Sequence, residues 1–151
     1  MFRLSKKMLF TIEAVLDIAY HAGSGPVQSR EITKRQGIPR RYLEQALQNL
    51  VRHKILIGVR GPRGGYRLAR ERRRISVGDV ARVVANFDSG DDFADQKVGS
   101  ELSYKVVRPF WTELREETLQ RLDGVSIDDL CTRADGAGVA SKGRDNLDFS
   151  I

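Results

Sequence analysis

A mainly α fold carrying one small β-hairpin is what this chain of 151 residues predicts, on three observations. Between Ile38 and Arg52, the apolar residues Leu43, Ala46, Leu47, Leu50 and Val51 recur at the spacing of one buried helical face. Just upstream, a short helical segment over 30–36, a turn at Gly37 and a first-turn proline at Pro39 have the spacing of a helix-turn-helix. Just downstream the period changes, and 56–60 and 66–68 read as two short strands. The turn joining them, Gly61-Pro62-Arg63-Gly64-Gly65, has glycines for positive φ and a proline to fix its start.

The outward face of the longer helix carries Arg40, Arg41, Glu44, Gln45, Gln48, Asn49 and Arg52, with Tyr42 at its start. These long donors and acceptors suit phosphates and base edges. A polar, cationic helix followed by a basic hairpin is what a winged helix-turn-helix presents to DNA. Charge agrees with this. Residues 1–86 hold 18 Lys and Arg against 6 Asp and Glu, a balance of +12; residues 87–151 hold 8 against 14, a balance of −6. The first part attracts a polyanion, and the second has a different task.

Taken in order, Ser5 caps a first helix reaching about Ala22, with Met8, Ile12, Val15 and Ala19 in one row and Leu9 and Leu16 widening it. Gly23-Ser24-Gly25-Pro26 stops it. Ser29 is the expected cap of the short second helix, and Ile32 its inward anchor. After the hairpin, the run Arg70-Glu71-Arg72-Arg73-Arg74 is either a solvated loop or a phosphate-contacting edge. Ser76-x-x-Asp79 is a capping box opening a helix through Val80, Val83 and Val84. Residues 87–100 form an Asp- and Gly-rich loop whose carboxylate spacing fails the calcium-loop pattern. A long helix follows over 101–122, with a stripe of Val107, Phe110, Trp111, Leu114 and Leu122; Pro109 must lie in its first turn or kink it. Such a stripe outside a basic domain calls for a partner surface, and a second copy of the chain is the first candidate. Ser126-x-x-Asp129 caps a short last helix, and 134–151 reads as a disordered tail. The divisions are therefore 1–86 for DNA binding, 87–100 as a loop, 101–133 for dimerisation and 134–151 as tail.

No apolar run approaches the roughly 18 residues that would span a bilayer, so no membrane association is expected. One cysteine, Cys131, excludes an intramolecular disulfide and fits a cytoplasmic protein. Catalysis is not expected. There is no glycine-rich phosphate loop, HExxH or GxSxG, and His21 and His53 stand apart, His53 at the end of the longer helix.

Two segments, Ile38-Pro39-x-x-Tyr42-Leu43-Glu44-Gln45 and Val59-Arg60-Gly61-Pro62-Arg63-Gly64-Gly65-Tyr66, together resemble the Rrf-two family of bacterial winged helix-turn-helix regulators, which includes the iron–sulfur sensors IscR and NsrR and the cysteine-metabolism repressor CymR. The resemblance covers about residues 1–130. It implies a homodimer, with helix 101–122 crossing between subunits, that binds operator DNA; dimer symmetry makes that double-stranded operator a pseudo-palindrome, and a repressor is the expected role, with activation left open by the sequence. It also implies that Arg60 enters the minor groove while Arg40, Arg41, Tyr42, Glu44 and Gln45 sit at the major groove. With Ser29, Gln48, Arg52, Arg63 and Tyr66 these make up the expected DNA-binding set. Cluster-binding members carry three cysteines in the loop before the dimerisation helix, and loop 87–100 has none. Because clusters are held mainly by Cys thiolates, no iron–sulfur cofactor and no metal site are expected.

Two alternatives stay open. CymR is regulated through cysteine synthase, an enzyme that captures a C-terminal isoleucine, and this chain ends with Phe149 and Ile151 on a tether. The other is thiol sensing at Cys131. Acidic neighbours Asp128, Asp129 and Asp135 raise a thiol pKa, Arg133 opposes them, and a packing role is the better expectation.

Overall fold

The structure is a computed structural model that describes residues 5–23, 25–87 and 99–141. Six α-helices and one antiparallel hairpin make up the described residues: α1 (Lys6–Tyr20), α2 (Ser29–Gln36), α3 (Arg40–Arg52), β1 (Leu56–Val59), β2 (Gly65–Leu68), α4 (Val77–Phe87), α5 (Arg108–Asp123) and α6 (Ile127–Gly136). A 3₁₀ turn at Arg72–Arg74 precedes α4, and a π-turn at Ser103–Val107 runs directly into α5. Of the tail expected over 134–151, residues 134–136 instead complete α6 and the Ser141 hydroxyl donates to the Tyr20 C=O at 2.7 Å, because the Ser126 cap carries the helix past Arg133. Phe149 and Ile151, and nearly all of loop 87–100, lie outside the described residues.

Helix α1 is the central element, touching α2, α3, α4 and α6. Its cap is the expected one, with the Ser5 hydroxyl accepting the Met8 N–H at 3.1 Å. Its buried row is rotated from the expected one. Thr11, Ala14, Val15, Ile18 and Ala19 are enclosed, while Met8, Ile12 and Leu16 are half-buried and Leu9 is exposed. A helix surrounded by other helices turns its small residues to the closest approaches, so Ala14 goes inside and bulky Leu9 stays out.

The second helix starts one residue earlier than expected. Val27 must stay extended because its N–H and C=O pair with the C=O and N–H of Tyr66, both at 2.8 Å. Gln28 then becomes the cap, its N–H donated to the Glu31 carboxylate at 3.1 Å, and Ser29 becomes the first helical residue. Gly37, in the left-handed conformation at φ 67°, makes the turn before α3. Leu43, Leu47 and Leu50 are enclosed with Ile32, Ile38, Ile55 and Leu56 in the shared core. Ala46 is half-buried and Val51 largely exposed, at the edge of that row.

Both capping boxes form. Asp79 accepts the Ser76 N–H at 3.0 Å while the Ser76 hydroxyl accepts the Asp79 N–H at 2.9 Å. Ser126 and Asp129 exchange the same two bonds, both at 2.9 Å. The two caps are themselves joined, since Val77 N–H reaches Val125 C=O at 2.7 Å and Ile127 N–H reaches Ile75 C=O at 2.8 Å. Ile127 and Cys131 consequently enter the same core as Val15 and Ile18. The charge boundary near residue 86 thus divides surface properties and not the core, because the acidic residues of α6 lie on its outer side while its apolar side closes the basic domain.

Pro109 explains the π-turn. A proline in the first turn of α5 has no N–H to donate, and the chain widens by one residue just before it, with Arg108 N–H bonded to Ser103 C=O. From there α5 has two halves. Leu119 and Leu122 pack back toward the chain's own core, and Arg82 of α4 clamps Asp123 through a bidentate ion pair. Val107, Phe110 and Trp111 stay more than half exposed, joined by Leu102 and Val106. Leu114 is half-buried at the changeover. Leu122, expected on the dimerisation stripe, therefore serves intramolecular packing, since the helix rotates it toward α4.

Candidate nucleic-acid interface

Helix α3 presents one solvent face along most of its length. Arg40, Arg41, Tyr42, Glu44, Gln45, Gln48 and Arg52 are all exposed on it. Arg40 and Glu44, one turn apart, form an ion pair at 2.9 Å that preorients the carboxylate. The Tyr42 ring leans on Phe10 of α1, centroids 6.1 Å apart, which limits its freedom while leaving its edge in solvent. Beside it lies a shallow cavity of about 30 Å³ lined by Phe10, Thr11, Ala46 and Val83. Asn49 is an exception to the expected polar face. It is buried, and its carbonyl ends the helix by accepting the His53 N–H at 3.0 Å, with the His53 ring Nδ1 at 2.9 Å from the same oxygen. The position is three residues past Ala46 and one before Leu50, inside the buried arc.

The hairpin stands next to this face. Leu56 pairs with Leu68 and Val59 with Gly65, so the tip is Arg60 to Gly64, closed by Gly64 N–H to Gly61 C=O at 2.9 Å. Arg60 and Arg63 are exposed at the tip, and among the described residues neither has an ion-pair partner. Tyr66 is different. Its backbone is tied to Val27 and its ring is half-buried against the core, so it anchors the wing from below. Ser29 is half-buried at the start of α2.

Gln28 belongs to this site although its sequence context carried no signal. Its amide Nε2 donates to the Pro62 C=O at 3.3 Å, and its Oε1 accepts from Arg30 Nε at 2.7 Å. It links the wing tip to the start of α2 over a sequence separation of 34 residues.

The basic run after the wing resolves into clamps. Arg70 binds Asp79 at 3.2 Å and the carbonyls of Arg74 and Lys54, Arg73 binds Glu71 at 2.6 Å, and Arg72 binds Asp128 of α6 at 2.7 Å. Their charge is largely cancelled locally. Arg41 and Arg52 of α3 and Arg60 and Arg63 of the wing tip are exposed and, among the described residues, carry no such pairing.

Cys131 is 2% exposed. Burial, with Asp128 adding to it, pushes its thiol above the ordinary value, and the cation that opposes this is Arg72 rather than Arg133. A buried, protonated thiol is a packing residue. Among the described residues no helix is long and apolar enough to cross a membrane.

Comparison with known proteins places this arrangement. Residues 4–133 match the profile of Rrf2, described as an iron-dependent transcriptional regulator. The chain is 34% identical over 142 residues to the HTH-type transcriptional regulator IscR of Xenorhabdus nematophila, covering 93% of this chain and 85% of that one. Among solved structures it is similar to T. potens IscR, with a TM-score of 0.71 and 32% identity over 93% of each chain. It is also similar to CymR, the global cysteine regulator of B. subtilis, with a TM-score of 0.67 and 25% identity over 88% of this chain and 98% of that one. A basic helix-turn-helix, a docked wing and a family match over nearly the whole described chain agree: the protein belongs to the Rrf2 family of winged-helix, DNA-binding transcriptional regulators and is not an enzyme.

Proposed function

We propose that this regulator acts in the cytoplasm as a homodimeric repressor on a pseudo-palindromic operator, without an iron–sulfur cluster held in the manner of its cysteine-bearing relatives. The carrying observation is the pairing of an exposed α3 face with a wing tip whose arginines have no ion-pair partner among the described residues. Arg40 and Arg41 suit guanine edges and phosphates, Glu44 suits the cytosine amino group, and Arg60 suits a narrow minor groove. Ser29, Gln48 and Arg52 flank these and suit phosphate contacts.

The dimer is supported by the outer half of α5. Phe110 and Trp111 are 58% and 56% exposed and continue an apolar strip with Leu102, Val106 and Val107, and contiguous exposed apolar surface of this kind marks an interaction site. A two-fold dimer of helix-turn-helix domains reads half-sites about 10 bp or a multiple apart, and that is the spacing expected of the operator. The cluster-free reading is supported by thiol chemistry. Clusters are held mainly by cysteine thiolates, and this chain has a single cysteine whose thiol is enclosed on α6 and held protonated by burial.

The test joins three measurements on full-length protein purified without oxygen. Light scattering reports the dimer, the visible spectrum reports a cluster, and anisotropy titrations against a duplex selected from a random pool report recognition. Arg63→Ala is expected to weaken all duplexes alike and to flatten the salt slope by about 0.9 per lost phosphate contact. A brown protein would overturn the cluster-free reading, and a monomer that ignores DNA at low salt would overturn the rest.

A further inference from the structure

Asp17 is a carboxylate in a place where the packing pattern calls for an apolar side chain. It lies on the inner side of α1 between Ala14 and Ile18, and its side chain is wholly enclosed. Taking a charged carboxylate out of water is costly, and it is tolerated only when the charge is met by well-placed donors. Here they are supplied. Oδ2 accepts from Arg35 Nε at 2.9 Å and from Gln36 Nε2 at 2.8 Å, and Oδ1 accepts from Arg35 Nη2 at 2.8 Å. His21 Nε2, one turn along α1, stands 3.8 Å from Oδ2.

The geometry of this pair is directional. Two parallel N–H···O bonds between guanidinium and carboxylate fix an angle as well as a distance. Apolar contacts between helices set a distance of approach and a preferred crossing angle, but they hold that angle less narrowly than a fork-to-fork pair does. The location matters equally. Arg35 and Gln36 are the last two residues of α2, and only Gly37, Ile38 and Pro39 separate them from α3. Gly37 has no side chain to restrict its backbone, and open space lies where a Cβ would be; its N–H is held by the Thr33 C=O at 2.9 Å. Ile38 is buried, but an isoleucine in a pocket sets depth better than direction.

We propose that Asp17 is a positioning residue for DNA recognition, its lock on Arg35 and Gln36 setting the direction in which α3 leaves the turn and so the register of Arg40, Arg41 and Gln45 against the bases. This rests on the DNA-binding reading above. A buried ion pair is not required for stability, because apolar residues of similar volume often replace one at no loss. The cost of this pair is then a contribution to orientation, and orientation is felt at the base contacts and not in the melting temperature.

The experiment uses full-length protein and two duplexes: one selected from a random pool by the wild-type protein, and a scrambled duplex of the same composition. Asp17→Leu combined with Arg35→Met replaces the lock by apolar volume, and Arg35→Lys keeps the charge but loses the fork. Melting by circular dichroism reports folding; anisotropy at several salt concentrations reports affinity and salt slope. The double variant is expected to melt within a few degrees of wild type, to bind the scrambled duplex with unchanged affinity and slope, and to lose about tenfold on the selected duplex, the loss of one base contact. Arg35→Lys is expected between the two. A folded double variant that discriminates as well as wild type overturns the proposal, as does an equal loss on both duplexes. If the double variant does not fold, Arg35→Lys decides by the same two criteria. Wild-type protein that binds both duplexes equally removes the DNA-recognition reading itself, whereas wild-type discrimination that survives the double substitution removes only the role of the lock.

Discussion

Replacing Gly65 by alanine tests whether the wing is held by its edge pairing to Val27. Gly65 sits at φ 148°, where a side chain is strained, and a Cβ there would lie at or inside 3.0 Å of the Val27 carbonyl and the Gln28 nitrogen. Both are backbone atoms with nowhere to move. The substitution therefore costs the backbone strain, about 1–2 kcal/mol, and the two Val27–Tyr66 hydrogen bonds, about 1 kcal/mol each. The total, about 3–4 kcal/mol, is a large fraction of the ~5–15 kcal/mol that holds a domain folded. At roughly 2–4 °C per kcal/mol for a chain of this size, the melting point falls by roughly 6–16 °C. Gly58→Ala is the control. It lies on β1 opposite Tyr66 with open space where its Cβ would be, and it is expected to melt with wild type. Thermal melts of the three proteins, with DNA binding measured below the transition, give the answer. Gly65→Ala that melts with Gly58→Ala would refute the claim that the wing is clamped through this contact.

Three further outcomes follow from the same geometry. Arg72→Ala is expected to leave the salt slope of DNA binding unchanged, unlike Arg63→Ala, because Arg72 is already paired with Asp128; equal slope changes in parallel titrations would count against the clamp assignment. Cys131 is expected to resist alkylation in the native protein and to react promptly in denaturant, since burial raises its thiol and hides it; fast native labelling followed by mass spectrometry would contradict this. In acid, Asp129 and Asp123 lose stabilising roles: their carboxyls are held below the ordinary value, Asp129 by the Ser126 N–H and hydroxyl and Asp123 by Arg82. A depressed carboxyl contributes stability above its unfolded value that is lost as pH falls through the folded one, so the loss is confined to pH below about 4. Asp129→Ala should flatten the acid limb of a melting-versus-pH curve, and an unchanged limb would remove Asp129 from the account.

Much of this was legible in the linear chain because the signals are local. Ser5, Ser76-x-x-Asp79 and Ser126-x-x-Asp129 cap the helices they were expected to cap, since a cap is decided within four residues. The Leu43, Leu47 and Leu50 row and the Gly61–Gly65 turn belong to the same class. Departures from that pattern come from a distant contact in one place and from helical position outweighing side-chain chemistry in another. Ser29 yields the cap to Gln28 because Val27 is held extended by Tyr66, 39 positions later in the chain. Asn49 has the chemistry of a DNA contact and the position of a buried residue.

The sequence alone settled the helix periods, the turn chemistry, the segregation of charge and, through two motifs, the family. Which cations remain free was decided only by the tertiary structure, which brings Glu71, Asp79 and Asp128 to the arginines after the wing and, among the described residues, gives Arg60 and Arg63 no such neighbour. It also decided that α6 closes the basic domain and that α5 turns Leu119 inward and Phe110 outward. The physical reason is range. Periodicity and capping are fixed by residues a few positions apart, whereas ion pairing and burial depend on which surfaces the folded chain brings within a few ångströms, and neither is written in the spacing of any one segment.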